Sequence, residues 1–451
     1  LSNKTDTDAH IHFINRDENE RYIVSITSDQ FSTDFSDDFS GSEMEVWELD
    51  GTSKSVSGAT GDVLSYLTTS DARDSLKLFT VADFTFLLNK TVTTAKSSTT
   101  SSDRNPEGIV FLKQATNTAT MTVYVDGTLR STVTSSADAA TQLDDIYSDI
   151  NGSIGSAGTG DFIVTKFGSS NVHLTRVNGA DFTLHAQAPE ANCIAIKDSV
   201  VDFTDLPART KDGLIIKITG SPSSGTDDYW LKHNNQADED VGEWVETVEP
   251  GLANSLDAST MPIQFIRTSE DPWDDAFAAD FGETVFSLSQ IAWTDRLVGD
   301  ETTAPDPSFI GEKLNDIFFH KNRFGFLAGE NIILSELGEF FNFYNTTATD
   351  LLDTDMIDLA SPSNQVSILN HSIAFNEELY LFSDFAQFKL SQFAAGGLTP
   401  TNAKLSLITE YENDKLINPI LNGRKLYFAT NTSGFSVIRE FGTIEDLQEE
   451  T

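Results

Sequence analysis

The sequence predicts a mainly β chain: a β-propeller-like domain of short antiparallel strands, with one small α+β module inserted into it. Three observations carry that expectation. Short apolar runs alternate with tight polar turns along most of the 451 residues. A strand–turn–strand unit recurs at roughly 50-residue spacing towards the C-terminus, a period in the range of propeller blades. Only one stretch has apolar residues at clear helical spacing.

Taken from the start, HIHFINRDENERYIVSIT reads as strand, polar turn over Asn15 to Glu20, and strand. Glu43 to Leu49 is a further strand ended by Asp50-Gly51, and the Ser/Thr/Asp/Phe tract from Ser28 to Ser42 is a loop. LKLFTVADFTFLL is a hairpin turning at Ala82-Asp83, and Ser97 to Arg104 reads as a linker. These strands define a first segment, 1–104, of the propeller-like domain.

The character changes over 105–203. A hairpin turns at Asp126-Gly127, and Ser136 is expected to cap a helix in which Leu143, Ile146, Tyr147 and Ile150 share a face and Gly152 ends the run. Strands at Phe162 to Phe167, Val172 to Val177 and Phe182 to His185 complete the α+β module. Residues 204–285 form a β-rich connecting region or blade, with DGLIIKITG and GEWVE as strands and Met261 to Phe265 as an edge element next to Pro262.

Over 286–451 the blades repeat. The turns Lys321-Asn322-Arg323, Asn376-Glu377-Glu378 and Asn422-Gly423-Arg424 each precede an apolar strand, then a small turn and another strand. The clearest unit is Leu314 to Tyr344, with seven phenylalanines and apolar side chains on both strand faces, so its sheet is expected to be covered on both sides. Asp316, Phe318, Phe319, Asn322, Arg323, Phe324, Phe326, Gly329, Phe341 and Phe343 are the residues expected to carry this motif structurally, as core and inter-blade packing. A stacked sandwich is the competing arrangement; regular recurrence favours radial repetition.

No run of about 18 apolar residues exists, so a membrane-spanning helix is not predicted. The single cysteine, Cys193, leaves no internal disulfide and fits assembly in a reducing cytoplasm. A net charge of −41 argues against a surface built to grip phosphates. It describes either a heavily solvated surface or acids lining a passage that DNA traverses without sticking, a repulsion confined by screening to about 8 Å.

Catalytic and cofactor motifs are missing: no HExxH, GxSxG, Walker A or GxGxxG pattern occurs. His10 and His12 share a strand face and are read as surface histidines before metal ligands. Asp227-Asp228 beside Tyr229-Trp230, and Asp274-Asp275 beside Trp273, are the nearest approach to a glycan-cleaving pair, and 70 acids make such neighbours expected by chance. Asp353, Asp355 and Asp358 lack the glycine and terminal glutamate of a calcium loop and read as a solvated loop. No catalytic, cofactor or metal residue is therefore assigned.

One longer phrase is diagnostic. TAPDPSFIGEKLNDIFFHKNRFGFLAGENIILSELGEFFNFY strongly resembles the tail nozzle (tail tubular protein B) family of short-tailed podoviruses of autographivirus type. The likeness continues through QVSILNHSIAFNEELYLFSDFAQFKLS and GRKLYFATNTSGFSVIREF, and is present earlier in HIHFINRDENERYIVSIT and LKLFTVADFTFLLNKTV. It implies a structural virion protein of the tail, assembled in the host cytoplasm. It also implies a homo-hexameric ring below the tail adaptor protein and near the tail fibres, through which genomic DNA is ejected without specific binding. The 105–203 insert is similar in position to that family's platform-like module. Family chains start upstream of His10 and run past Thr451, so trimming at both ends is expected, and the distal gate is not evident in this segment. A glycan-degrading or receptor-binding tail protein is the alternative.

Overall fold

The computed structural model describes residues 9–17, 20–27, 44–115, 120–134, 138–220, 228–235, 241–268, 285–393, 397–423, 425–432 and 434–442. These residues build a mainly β structure of seven sheets. The Ser28–Ser42 tract and Ser136 lie outside them.

The first sheet has eight strands in the order His10–Asn15, Arg21–Ile26, Met44–Glu48, Ser53–Ser57, Val285–Gln290, Ile263–Thr268, Phe84–Asn89, Leu76–Val81. It curls until its two edges meet. His12 Nε2 lies 2.8 Å from Thr80 Oγ1 and Arg16 Nη2 donates to the Asp83 carbonyl, so side chains join the seam of a nearly closed barrel. Its interior is filled by alternating residues such as Val24, Val46, Phe265 and Phe286. The element expected to be an edge at Pro262 is instead an interior strand, paired on both sides. Pro262 stands one residue before the strand, so its missing N–H takes no bond from the ladder.

The chain from 107 to 196 folds into two antiparallel sheets and one helix. Glu107–Leu112 lies between Asn171–Arg176 and Cys193–Ile196, with Phe162–Phe167 outermost. Thr120–Val125 lies between Thr128–Thr134 and Leu184–Gln187. The helix, Ala139–Ser153, buries Leu143, Ile146 and Ile150 in a shared core with Val123, Phe162 and Leu174. Asp138 is its N-cap, accepting from the Thr141 N–H at 2.9 Å, in place of the expected Ser136, and the helix runs one residue past Gly152.

A four-stranded sheet, Ser199–Val200, Ile215–Ile218, Tyr229–Asn235 and Gly242–Thr247, follows. Residues 97–104, expected as a linker, are tied along 249–256: Ser101 N–H donates to Leu252 O at 2.8 Å and Ser97 N–H to Ser255 O at 2.9 Å. Serine and threonine side chains there close local bonds instead of leaving the backbone to solvent.

Three antiparallel meanders complete the structure. The first is Leu314–His320, Arg323–Ala328, Asn331–Leu334 and Ile357–Ala360; the second is Leu369–Phe375, Glu378–Ser383, Gln387–Gln392 and Ala403–Thr409. The third is Ile420–Asn422, Lys425–Thr432 and Phe435–Phe441. Their opening hairpins turn through the left-handed region, at Lys321 and Asn322 (φ 46 and 59), Asn376 and Glu377 (φ 50 and 64), and Gly423 (φ 63). That backbone matches the right-handed twist of the flanking strands, which explains the recurring Asn and Gly.

The meanders pack face to face in chain order. One face of the first carries Phe324, Phe326 and Ile333 against Phe86 and Leu88 of the eight-stranded sheet. The opposite face carries Phe318, Leu327, Ile332 and Leu334 against Leu379, Leu381 and Phe388 of the second. The second buries Phe375, Tyr380 and Phe382 against Leu426 and Phe428 of the third. Gly325 sits directly across the ladder from Phe318, whose ring fills the space a side chain would need: a Cβ there would lie 2.4 Å from the ring's Cζ. Gly325→Ala is therefore expected to cost about 1–3 kcal/mol through overpacking, read as a lower urea midpoint with an unchanged slope; an unaltered midpoint contradicts this packing.

Candidate functional site

The Phe-rich stretch is where the sheets are fastened together, and the fastening begins with an acid in an apolar strand. Asp316 is fully buried in Leu314–His320, at an irregularity in the pairing between Leu314 and Asp316. Its carboxylate forms an ion pair with Lys77 of the eight-stranded sheet. It also accepts from the Ser372 N–H at 2.6 Å and the Ser372 hydroxyl at 2.8 Å, both on the second meander. A buried carboxylate is tolerated only when its lone pairs are filled, and here three sheets fill them. Burial, with the nearby charge of Lys90 adding to it, lowers the Lys77 ammonium from its usual range.

Arg323 supplies the second tie. It is fully buried, and its guanidinium donates only to carbonyls: Ser335 at 2.7 Å, Asp355 at 2.6 Å, Asp353 at 3.1 Å and Leu398 at 3.4 Å. The planar fork of arginine, with five N–H donors, suits a ring of backbone acceptors that lysine could not span. The bonds hold down the long excursion between the third and fourth strands of the first meander and reach Leu398 in the second. Asn322, in the turn, accepts from the Gly338 N–H at 3.1 Å and anchors the same excursion. Gly329 (φ +54) closes the next hairpin, and its carbonyl receives the Leu369 N–H at 2.8 Å.

The excursion returns aromatic rings to the core. Phe341 and Phe343 lie outside the regular strands: Phe343 stacks on Phe326 at 5.1 Å, and Phe341 meets Phe324 edge-on at 6.1 Å. Phe324 contacts Phe86 at 4.7 Å, Phe319 meets Phe340 at 5.1 Å, and Phe318 packs on the opposite face towards the second meander. Of the residues singled out in the sequence, Phe318 lies on one face of the first meander and Phe324 and Phe326 on the other, while Asn322 and Phe319 make contacts within the meander and its excursion.

Sequence reading overlooked Lys77, Ser372, Trp293 and Arg296. Trp293 sits among Phe326, Phe341 and Phe343. Arg296 is fully buried, pairs with Glu301 at 3.2 Å and with Asp306, and lies 5.1 Å over the Tyr344 ring. A lone lysine in LKLF was the available signal for Lys77. A second buried ionic group joins the α+β region to the next sheet: Glu107 accepts from His173 Nε2 at 3.0 Å and Lys211 Nζ at 2.6 Å.

Other candidate chemistry is engaged elsewhere. His10 Nδ1 faces the Arg73 carbonyl at 3.3 Å and His12 faces Thr80. Asp355, expected in a solvated loop, is fully buried and accepts from Thr346 and Leu352, while Asp358 accepts from Ser308 and Asn331; the loop is held inward by Arg323, which the sequence alone could not bring to it. Asp228 pairs with Lys217 at 2.8 Å. Asp227, Trp273, Asp274 and Asp275 lie outside the described residues. Burial pushes the Cys193 thiol up to about 12, leaving it unreactive. Among the described residues, no group of three or more His, Cys, Asp or Glu is arranged to hold a metal, and no helix is long and apolar enough to cross a membrane.

A protein-family model described as Bacteriophage nozzle protein matches residues 1–451. Tail tubular protein gp12 of Escherichia phage T7 is 28% identical over 97% of this chain and 52% of that protein, so the chain spans about half the length of the curated relative it matches.

Two outcomes follow for this fastening. Asp316→Ala is expected to cost about 3–5 kcal/mol, because it strands Lys77, whereas Lys77→Met with Asp316→Leu costs clearly less than the two single changes added; additive losses in denaturant titrations contradict the pairing. His320 and His371 are held down to about 4, chiefly by burial, with Lys321 beside the first and Lys77 beside the second. Below the unfolded histidine value of about 6.5 the unfolded chain binds more protons, so each histidine removes up to about 1.4 kcal/mol per pH unit between roughly pH 6.5 and 4, and stability is flat in this respect above pH 7. His320→Gln should flatten that slope; an unchanged slope contradicts a buried neutral His320.

Proposed function

The chain belongs to the bacteriophage nozzle protein family and is a structural phage tail subunit, and from this premise we propose that it forms the wall of a short tail tube. In this reading six copies ring the tail axis below an adaptor, with tail fibres nearby, and the genome passes through the bore into the host. The family match along the whole chain carries the reading. Serial face-to-face packing of the meanders supports it mechanically, since sheets covered on both faces and tied by buried ions make a stiff wall. We further propose that the meanders are propeller blades and that the 105–203 region is a platform-like module.

Charge supports passage without adhesion. Gripping DNA needs free cations to displace counterions from phosphates. Here Lys96, Arg104, Lys113, Arg176, Lys197 and Lys217 are each paired with a carboxylate of the same chain, against an overall excess of −41. The role is geometric, with no bond made or broken. Asp228, one of the acids of the glycan-cleaving alternative, pairs with Lys217.

The expected outcome is a six-fold ring in electron micrographs of the chain mixed with its adaptor, and no reducing sugar released from host surface polysaccharide. A chain that stays monomeric with the adaptor present, or sugar release abolished by Asp228→Asn, refutes the reading.

A further inference from the structure

Among the described lysine–carboxylate pairs, one differs from the rest in its surroundings. Asp316 has no exposed surface, whereas the acids facing Lys96, Lys113, Lys166, Lys217 and Lys425 keep 21 to 55% of their side chains accessible. Glu107, the other buried partner of a lysine, divides one oxygen between Lys211 Nζ at 2.6 Å and His173 Nε2 at 3.0 Å. We propose that the Lys77 amine and the Asp316 carboxyl condense into an amide between the two side chains, a covalent cross-link from the eight-stranded sheet to the first meander. The ion pair is the arrangement from which the bond forms.

Three properties carry it. First, the reacting groups are held together. Lys77 Nζ contacts Asp316 Oδ1, and three further donors fix the carboxyl: the Ile317 N–H on Oδ1 at 2.9 Å, and the Ser372 N–H and hydroxyl on Oδ2 at 2.6 and 2.8 Å. Reactants fixed in contact escape the entropic cost that makes condensation of free side chains slow. Second, the site is apolar. Leu88 lies across the ladder from Lys77 and Leu327 across from Asp316, both fully buried. In such surroundings the uncharged pair, amine and carboxylic acid, gains on the ion pair, because little solvent supports the separated charges. Burial, with Lys90 adding to it, holds the Lys77 ammonium down to about 7, so free amine, the nucleophilic form, is present near neutral pH. Third, the two Ser372 donors sit on Oδ2, where negative charge gathers when nitrogen adds to Cγ, and they act as an oxyanion site.

The atoms balance without a further reagent. A proton passes from Nζ to Oδ1, giving amine and acid. The Nζ lone pair then bonds to Cγ while the Cγ–Oδ2 π pair moves onto Oδ2. A second proton passes from Nζ to Oδ1 as the Cγ–Oδ1 bond breaks. Oδ1 leaves as water, and Oδ2 becomes the amide carbonyl with both Ser372 bonds kept. Nothing is oxidised or reduced. Lys77 keeps 21% of its side chain accessible, which gives the water a way out. The bond joins residues 239 apart in the chain, closing a long loop in the unfolded state and so raising stability. It forms within one chain and does not rest on the tail-tube reading.

Mass spectrometry of the whole chain under denaturing conditions tests this. The native chain is expected to be lighter than its sequence by the mass of one water, and a tryptic digest to contain the Lys77 peptide joined to the Asp316 peptide. Lys77→Arg keeps the charge beside Asp316 but removes the amine; it is expected at full sequence mass, with a lower unfolding temperature than the native chain. A native chain at full sequence mass overturns the proposal and leaves the ring intact. A water loss that the digest places elsewhere, or that persists in Lys77→Arg, overturns it equally. The native mass and digest decide between these outcomes even where the variant does not fold.

Discussion

One carboxylate constrains the placement of three sheets. Asp316 takes an ammonium from the eight-stranded sheet and two donors from the second meander while standing in the first. In a low-dielectric interior an unpaired charge costs several kcal/mol, so there is effectively one relative position in which all partners meet. Apolar packing tolerates sliding of one sheet over another far better, because the hydrophobic effect has no direction. The ionic contact thus adds register to an assembly that packing alone would leave less defined.

Around it the aromatic residues supply bulk and the arginine supplies connection. Phe86, Phe324, Phe326 and Phe343 meet at 4.7 to 5.3 Å along one face of the first meander, reinforced by Phe309 at 5.6 Å from Phe326. Such pairs add about 0.5–1.5 kcal/mol each beyond the area they bury. Arg323 then binds an irregular excursion through carbonyls that would otherwise be buried without donors. The stiff wall proposed for this subunit would draw on both, since close-packed rings and a fully engaged guanidinium resist displacement.

How much of this was legible in the sequence follows from the range of each interaction. The hairpins were legible, because a period of two and a left-handed turn at Asn322 or Gly423 are properties of a few adjacent residues. The aromatic core of Leu314 to Tyr344 was legible as composition, and its two covered faces as an absence of polar alternation. Helix ends were less so: two hydroxyl-bearing or acidic residues compete near Ser136, and Asp138 holds the Thr141 amide. Pro262 misled in the same way, since a proline one step before a strand leaves the same local signature as one on an edge.

The sequence by itself determined the family, the mainly β character, the turns and the Phe-rich stretch, because these rest on local pattern and on long shared phrases. It could not show that Lys77 and Ser372 meet Asp316, which lie 239 and 56 residues from it along the chain. Nor could it show that Asp355 is buried beneath Arg323, or that Ile263–Thr268 and Val285–Gln290 complete the N-terminal sheet. Those outcomes depend on which side chains the folded chain brings together at distances of a few ångströms, and burial makes them selective only after the sheets have closed around them.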